Sequence, residues 1–176
     1  MVQYRRSKTP GASYFFTVNL HNRSKGYLTD HSHYLRQAFY EARKIHQFKI
    51  VAIAILPDHL HTILQLQQID YHYPKIWQTI KSRFTRALVK EGVALQKNAK
   101  GEYNLWQRRY WEHQIRDETD MQHHIEYIHY NPVKHGHINQ VKDWPHSSFH
   151  QYVKQDIFPK DWGGEYRPKN NIRYGE

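Results

Sequence analysis

The order of its segments constrains this chain more than any other feature. Strand-like and helix-like stretches follow one another as β-α-β-β-α-β and then a helix. Residues 13–20 are rich in aromatic and β-branched side chains and read as a strand. Leu35, Ala38, Phe39, Ala42 and Ile45 recur at helical spacing behind the cap candidates Thr29, Asp30 and Ser32. Phe48–Ile55 is a buried-strand pattern, Pro57-Asp58 punctuates it, and His59–Leu66 suits a half-buried strand. Pro74 opens a second helix with Ile76, Ile80, Phe84 and Leu88 on one face. Residues 103–115 read as extended, dense in Trp and Arg. Residues 117–130 read as a third helix, with Thr119 and Gln122 as a capping box. Pro132 should end it, because the residue before a proline is biased away from helical angles.

This order fits an α+β fold. It is the split βαβ, ferredoxin-like plait, an antiparallel sheet with helices on one face, followed by a C-terminal helix and an irregular basic tail. One domain over residues 1–152 with a tail over 153–176 is the expected organisation. Fold alone says nothing about chemistry.

Composition narrows the chemistry. There is no cysteine, which excludes disulfide scaffolds, Cys-ligated zinc, iron–sulfur clusters and thiol catalysis. The N-terminal charges have no apolar stretch behind them, and the longest aliphatic run, residues 50–56, falls far short of the roughly 20 residues of a membrane span. A soluble cytoplasmic protein is expected. The 26 Lys+Arg against 16 Asp+Glu give a net charge of +10, alongside 14 Tyr, 7 Phe and 5 Trp. Cations bind phosphate through counterion release and aromatic faces stack on unpaired bases, so nucleic acid is a candidate partner. A merely solvated basic surface is the alternative.

The 15 histidines include three His-x-His pairs, His31/His33, His59/His61 and His135/His137. Chance placement alone produces about one such pair, so context has to choose among them. His31 and His33 sit at a helix start, where residues two apart face different ways. His135 and His137 flank Gly136 in an expected loop. Only His59 and His61 open a strand, whose period of two puts both imidazoles on one face, close enough to share a divalent metal. A polar strand edge that binds nothing is the alternative.

On the third helix, Met121, Ile125 and Ile128 form the expected core stripe. Tyr127 and Asn131, four apart, lie on its flank together with His124, where a side chain can reach the sheet without being entombed. An ordinary boundary tyrosine is the alternative for Tyr127, and Tyr130 is its rival for any role.

Taken together, these residues resemble the HUH single-tyrosine transposases, and more closely the REP-associated tyrosine transposases of the IS200-like superfamily. The matching segments are Tyr14-Phe-Phe-Thr17, Pro57-Asp-His-Leu-His61, Trp77 with Ile80-Lys81 and Phe84, and residues 106–112 (WQRRYWE). They continue through Ile115-Arg-Asp117, residues 127–136 (YIHYNPVKHG) and residues 144–149 (WPHSSF). The order of all of them, not any one, carries the resemblance.

The resemblance implies His59, His61 and Asn131 as metal ligands and Tyr127 as the nucleophile, carried on the C-terminal helix. It implies a divalent cofactor, Mg²⁺ or Mn²⁺, and single-stranded or hairpin DNA as partner. The implied reaction is site-specific cleavage and strand transfer through a covalent 5′-phosphotyrosine. No Gly-rich phosphate loop is needed, since the exchange of one phosphodiester for another requires no ATP. Candidate DNA contacts are Arg5, Arg6, Lys81, Arg108 and Arg109, and His124 is a candidate proton shuttle. Homodimer and monomer both stay open. Two rival functions remain: a non-catalytic nucleic-acid-binding plait, and a metal-dependent phosphodiesterase using water.

Overall fold

The computed structural model describes residues 9–67, 72–164 and 174–175. Strands β1 (Ser13–Asn19), β2 (Phe48–Ile55), β3 (His59–Leu66) and β4 (Trp111–Gln114) form one antiparallel sheet in the order β2-β3-β1-β4. The helices are α1 (Tyr27–Asp30), α2 (Ser32–Ile45), α3 (Tyr73–Lys90), α4 (Glu118–Lys134) and α5 (Phe149–Lys154). This is the expected plait. Among the described residues no helix is long and apolar enough to cross a membrane.

Side-chain alternation divides the sheet into two different faces. Tyr14, Phe16 and Val18 of β1, with Leu60 and Leu64 of β3, point to a core shared with Leu35, Phe39, Trp77, Ile80 and Phe84 of α2 and α3. The opposite face carries Phe15, Ala52, Ala54 and Ile63, and α4 packs there through Tyr127 and Ile128. The expected plait helices do lie together, but α4 takes the other side. β3 is therefore not half-buried. Seven of its eight residues are buried, because it is a central strand with helices on both faces. Its two histidines are interior groups.

Three local expectations change. Only β4 forms from the extended stretch 103–115, because exposed Arg108 and Arg109 stand side by side and break the in–out alternation a strand needs. The cap of α4 is Asp117, whose carboxylate accepts the Asp120 N–H at 2.8 Å, and Gln122 instead donates to Glu126. Pro132 does not stop α4. The helix continues to Lys134 because Asn131 and Pro132 are both buried against the fold, so packing overrides the local penalty.

Candidate active site

The register of β1 on β3 sets the geometry. Thr17 pairs with His61 and Asn19 with His59. The two imidazoles lie 4.9 Å apart between ring centres and nearly perpendicular, with His59 1 % and His61 0 % exposed.

Their tautomers follow from their neighbours. The Asp58 carboxylate only accepts, and it lies 2.7 Å from His59 Nδ1, so that nitrogen carries the proton. His59 Nε2 is then a bare lone pair. It is buried and has no hydrogen-bond partner among the described residues. Thr17 donates its hydroxyl proton to the Tyr174 carbonyl, so its Oγ1 accepts from His61 Nδ1 at 2.8 Å. On that tautomer Nε2 is the unprotonated ring nitrogen of His61. Burial alone would raise the Asp58 pKa, but hydrogen bonds from His59 and Arg23 outweigh it and hold the carboxyl well below the usual range. A permanent anion thus orients His59, a common arrangement behind metal-binding imidazoles.

α4 brings the remaining groups. Its buried stripe is Asp120, His124, Tyr127, Ile128 and Asn131, whereas Met121 and Ile125 are only partly buried. Ile128 is buried as expected, but the expected flank residues His124, Tyr127 and Asn131 are buried with it in place of Met121 and Ile125. The reason is the sheet face below, which offers His113 to Asp120 and His61 to Tyr127. Tyr127 is 1 % exposed and meets the His61 ring edge-on at 5.3 Å. Asn131 follows one turn later and is fully buried. Tyr130, its rival, lies instead toward Gly163, where an added Cβ would stand 3.7 Å from its ring.

Two further groups touch Tyr127. Lys134, two turns along the helix, donates from Nζ to the Tyr127 hydroxyl at 3.1 Å. Tyr174, far away in sequence, stacks on the Tyr127 ring. Sequence reasoning missed Lys134 because Pro132 was expected to end the helix before it. Sequence reasoning also misses Asp58, Thr17 and Tyr174, and the turn after α4, expected as a loop, brings the His135 ring to 5.1 Å from His59. The signal for Thr17 was present, since a strand threonine two before Asn19 shares its face.

His124 is 1 % exposed and donates from Nδ1 to the Asp120 carbonyl at 2.7 Å, leaving Nε2 buried without a hydrogen-bond partner among the described residues. Burial pushes its pKa down, more than the Asp120 carbonyl raises it, so it is a neutral imidazole. Phe15 separates it from His61, with ring centres 4.8 and 5.5 Å away respectively. His113, Asp120 and His124 form a group whose ligand atoms lie within 4.8 Å of one another and that could hold a metal ion. Its Asp120 carboxylate already accepts from His113 and from the Arg116 backbone.

Of the basic candidates, Lys81 and Arg108 line one groove of about 1000 Å³, with Trp77, Trp106 and Tyr110. Lys81 donates to the Gln107 carbonyl at 2.9 Å with its ammonium over the Trp106 and Tyr110 rings. Arg108 and Arg109 are exposed. Arg5 and Arg6 lie outside the described residues.

Comparison with known proteins gives this arrangement its relatives. Residues 9–131 match the model of the family described as "Transposase IS200 like". The chain is 49% identical over 166 residues to the Haemophilus influenzae protein named "Putative REP-associated tyrosine transposase", covering 93% of this chain and 94% of that one. It is 41% identical over 165 residues to the REP-associated tyrosine transposase of Escherichia coli K12, covering 94% and 93%. A solved structure of a REP-associated tyrosine transposase bound to a REP hairpin superposes with a TM-score of 0.86 at 40% identity, covering 100% of this chain and 98% of that one. The chain belongs to the IS200-like transposase family and, within it, to the REP-associated tyrosine transposases.

Proposed function

We propose that this protein is a metal-dependent, site-specific single-stranded DNA endonuclease and strand transferase that acts at hairpin-forming repeats through a covalent 5′-phosphotyrosine. The observation that carries the reading is the position of Tyr127, on one helical stripe with Asn131 and edge-on to His61 of the paired histidines. A relative of the same fold, described bound to a REP hairpin, supports hairpin DNA as the substrate.

The donor set fits a divalent cation. His59 Nε2 is a buried lone pair without a partner among the described residues, the Thr17 network leaves Nε2 as the unprotonated nitrogen of His61, and Asn131 adds an amide oxygen. The alternative group around Asp120 fits less well, because its carboxylate is occupied by N–H donors and the Arg116 guanidinium stands beside it. Two imidazoles and one amide suit Mn²⁺, while Mg²⁺ prefers oxygen. Bound at His59, His61 and Asn131, such a cation would polarise the scissile phosphate and offset the charge that develops on it.

The chain's own groups do the rest. A free tyrosine ionises near pH 10 and is a weak nucleophile at pH 7. The Lys134 ammonium donates to the Tyr127 oxygen and so favours its negative charge. Tyr127 Oη forms the new bond to phosphorus, the bond from phosphorus to the 3′ oxygen breaks, and that oxygen takes up a proton. The phenol proton passes to solvent, with His124, one turn earlier on the same helix, as the candidate relay. Run backwards with another 3′-OH, the same step joins strands. Lys81, Arg108 and Arg109, with Arg5 and Arg6, hold the DNA backbone.

The test incubates the protein with labelled hairpin DNA carrying single-stranded flanks, with Mn²⁺ or Mg²⁺, and resolves covalent adducts on denaturing gels. An adduct that needs the cation and vanishes in Tyr127→Phe supports the reading. Cleavage without attached protein points to water as nucleophile, and salt-sensitive binding without cleavage to a binding module.

A further inference from the structure

We propose that Asn19 is a further oxygen donor to the divalent cation held at His59, His61 and Asn131. The inference rests on that reading of the site and adds a residue to it from the other strand.

The placement comes from the sheet register. Asn19 of β1 stands directly across from His59 of β3, as Thr17 stands across from His61. Side chains two apart on a strand share a face, and directly opposed residues bring their Cβ atoms about 4.5–5.5 Å apart. Thr17 shows that this face is within reach, since its Oγ1 lies 2.8 Å from His61 Nδ1. Asn19 occupies the equivalent position beside His59.

The backbone fixes that position on both sides. The Asn19 carbonyl accepts the Gln107 N–H at 3.0 Å, and the Leu20 N–H donates to the Asp58 carbonyl at 2.8 Å. The strand end that carries Asn19 is therefore tied to the residue that orients His59. A carboxamide on so short and well-anchored a stem has little freedom to turn elsewhere.

The chemistry comes from what these atoms lack. Asn19 is 7 % exposed, and its Oδ1 is buried with no hydrogen-bond partner among the described residues. A buried carbonyl oxygen in that state is costly. Across the strand pair His59 Nε2 is in the same condition. Both are lone-pair acceptors, so they cannot satisfy each other. What satisfies both is an electrophile between them, a hard divalent cation or a water on it. Oxygen is also the donor type that Mn²⁺ and Mg²⁺ favour, and Asn19 enriches in oxygen a set otherwise dominated by imidazole.

A rotated carboxamide is the competing arrangement. Its Nδ2–H would donate to His59 Nε2 and block that nitrogen, so Asn19 would then oppose metal binding. The two arrangements predict opposite signs.

Mn²⁺ binding to the whole protein, without DNA, separates them. Free Mn²⁺ is read by electron paramagnetic resonance during titration of native protein, Asn19→Ala, Asn19→Asp and His59→Ala, each checked for native circular dichroism. Asn19→Ala is expected to weaken Mn²⁺ binding about tenfold, the scale of a lost supporting group at a metal site. Asn19→Asp, nearly the same shape with a full charge, is expected to tighten it. Unchanged or tighter binding in Asn19→Ala overturns the proposal. So does unchanged or weaker binding in Asn19→Asp, which serves alone where the alanine variant fails to fold. If native protein binds Mn²⁺ and His59→Ala binds it as well, the reading of the histidine site fails first, and the role of Asn19 falls with it.

Discussion

The ring of Tyr174 lies flat against the ring of Tyr127, with centroids 3.3 Å apart and planes within 7°. The tyrosine proposed to attack DNA is thus covered by a residue from the far end of the chain, whose carbonyl is also held by Thr17. On the proposed reading, a substrate phosphate has to displace this cover. Aromatic pairs contribute about 0.5–1.5 kcal/mol beyond their buried area. Tyr174→Ala should therefore speed covalent adduct formation, by up to about tenfold at 1.4 kcal/mol. Time courses with the hairpin substrate measure it. An unchanged or slower rate would assign Tyr174 to the packed core alone.

Tyr127→Phe should abolish the adduct and leave the fold intact, because the change removes one hydroxyl whose hydrogen bond, from the charged Lys134, contributes about 1.5–3 kcal/mol. Tyr130→Phe should keep the adduct. Lys134→Met should slow adduct formation by about tenfold to a hundredfold, the scale of a hydrogen bond to a charged group at about 1.5–3 kcal/mol. Lys134→Arg should recover part of the loss. A Lys134→Met variant as fast as native protein would separate Lys134 from the chemistry.

Asp58 should matter through His59 rather than through substrate. Asp58→Ala frees the ring to change tautomer, and loss of such an orienting partner lowers metal affinity by about 10–100-fold. Metal titration measures this directly. Circular dichroism should stay native, since Asp58 lies at the turn that joins β2 to β3.

His129 should make stability depend on pH. Burial lowers its pKa to about 3, with the His150 charge acting in the same direction. In the unfolded chain it titrates near 6.5. Between these values the unfolded state binds the extra proton, so stability is complete above pH 6.5 and falls as pH drops toward 3. The slope from this group is at most about 1.4 kcal/mol per pH unit. Urea unfolding from pH 7.5 to 4.5 should show the decline, and His129→Asn should flatten it. An equal slope in the variant would place the titration elsewhere.

The sequence exposed the parts of the site that regular spacing generates. Two on a strand brings His59 beside His61, and four on a helix stacks Tyr127 and Asn131, so local periodicity suffices for both. It misleads at α4, where helical spacing points apolar Met121 and Ile125 into the core and both are only partly buried. The sheet face below is polar enough that Asp120 and His124 go inward instead. Lys134 was hidden by a rule about proline that buried packing overrides. Tyr174 was hidden more deeply, because no local pattern connects residue 174 with residue 127. Asp58 looked like turn punctuation, and its ionic role appears only once His59 and Arg23 are seen around it.

Pro132 leaves α4 unbroken, so Tyr127, Asn131 and Lys134 travel on a single rod pressed against β3. On the proposed reading, the attacking oxygen and the amide that grips the cation keep one fixed separation through cleavage and rejoining. Among the described residues, no break in α4 lets a captured 5′ end move apart from that amide. On that reading, exchange of partners falls to the nucleic acid, with one 3′ end leaving the shared anvil of tyrosine and amide and another sliding in to take its place.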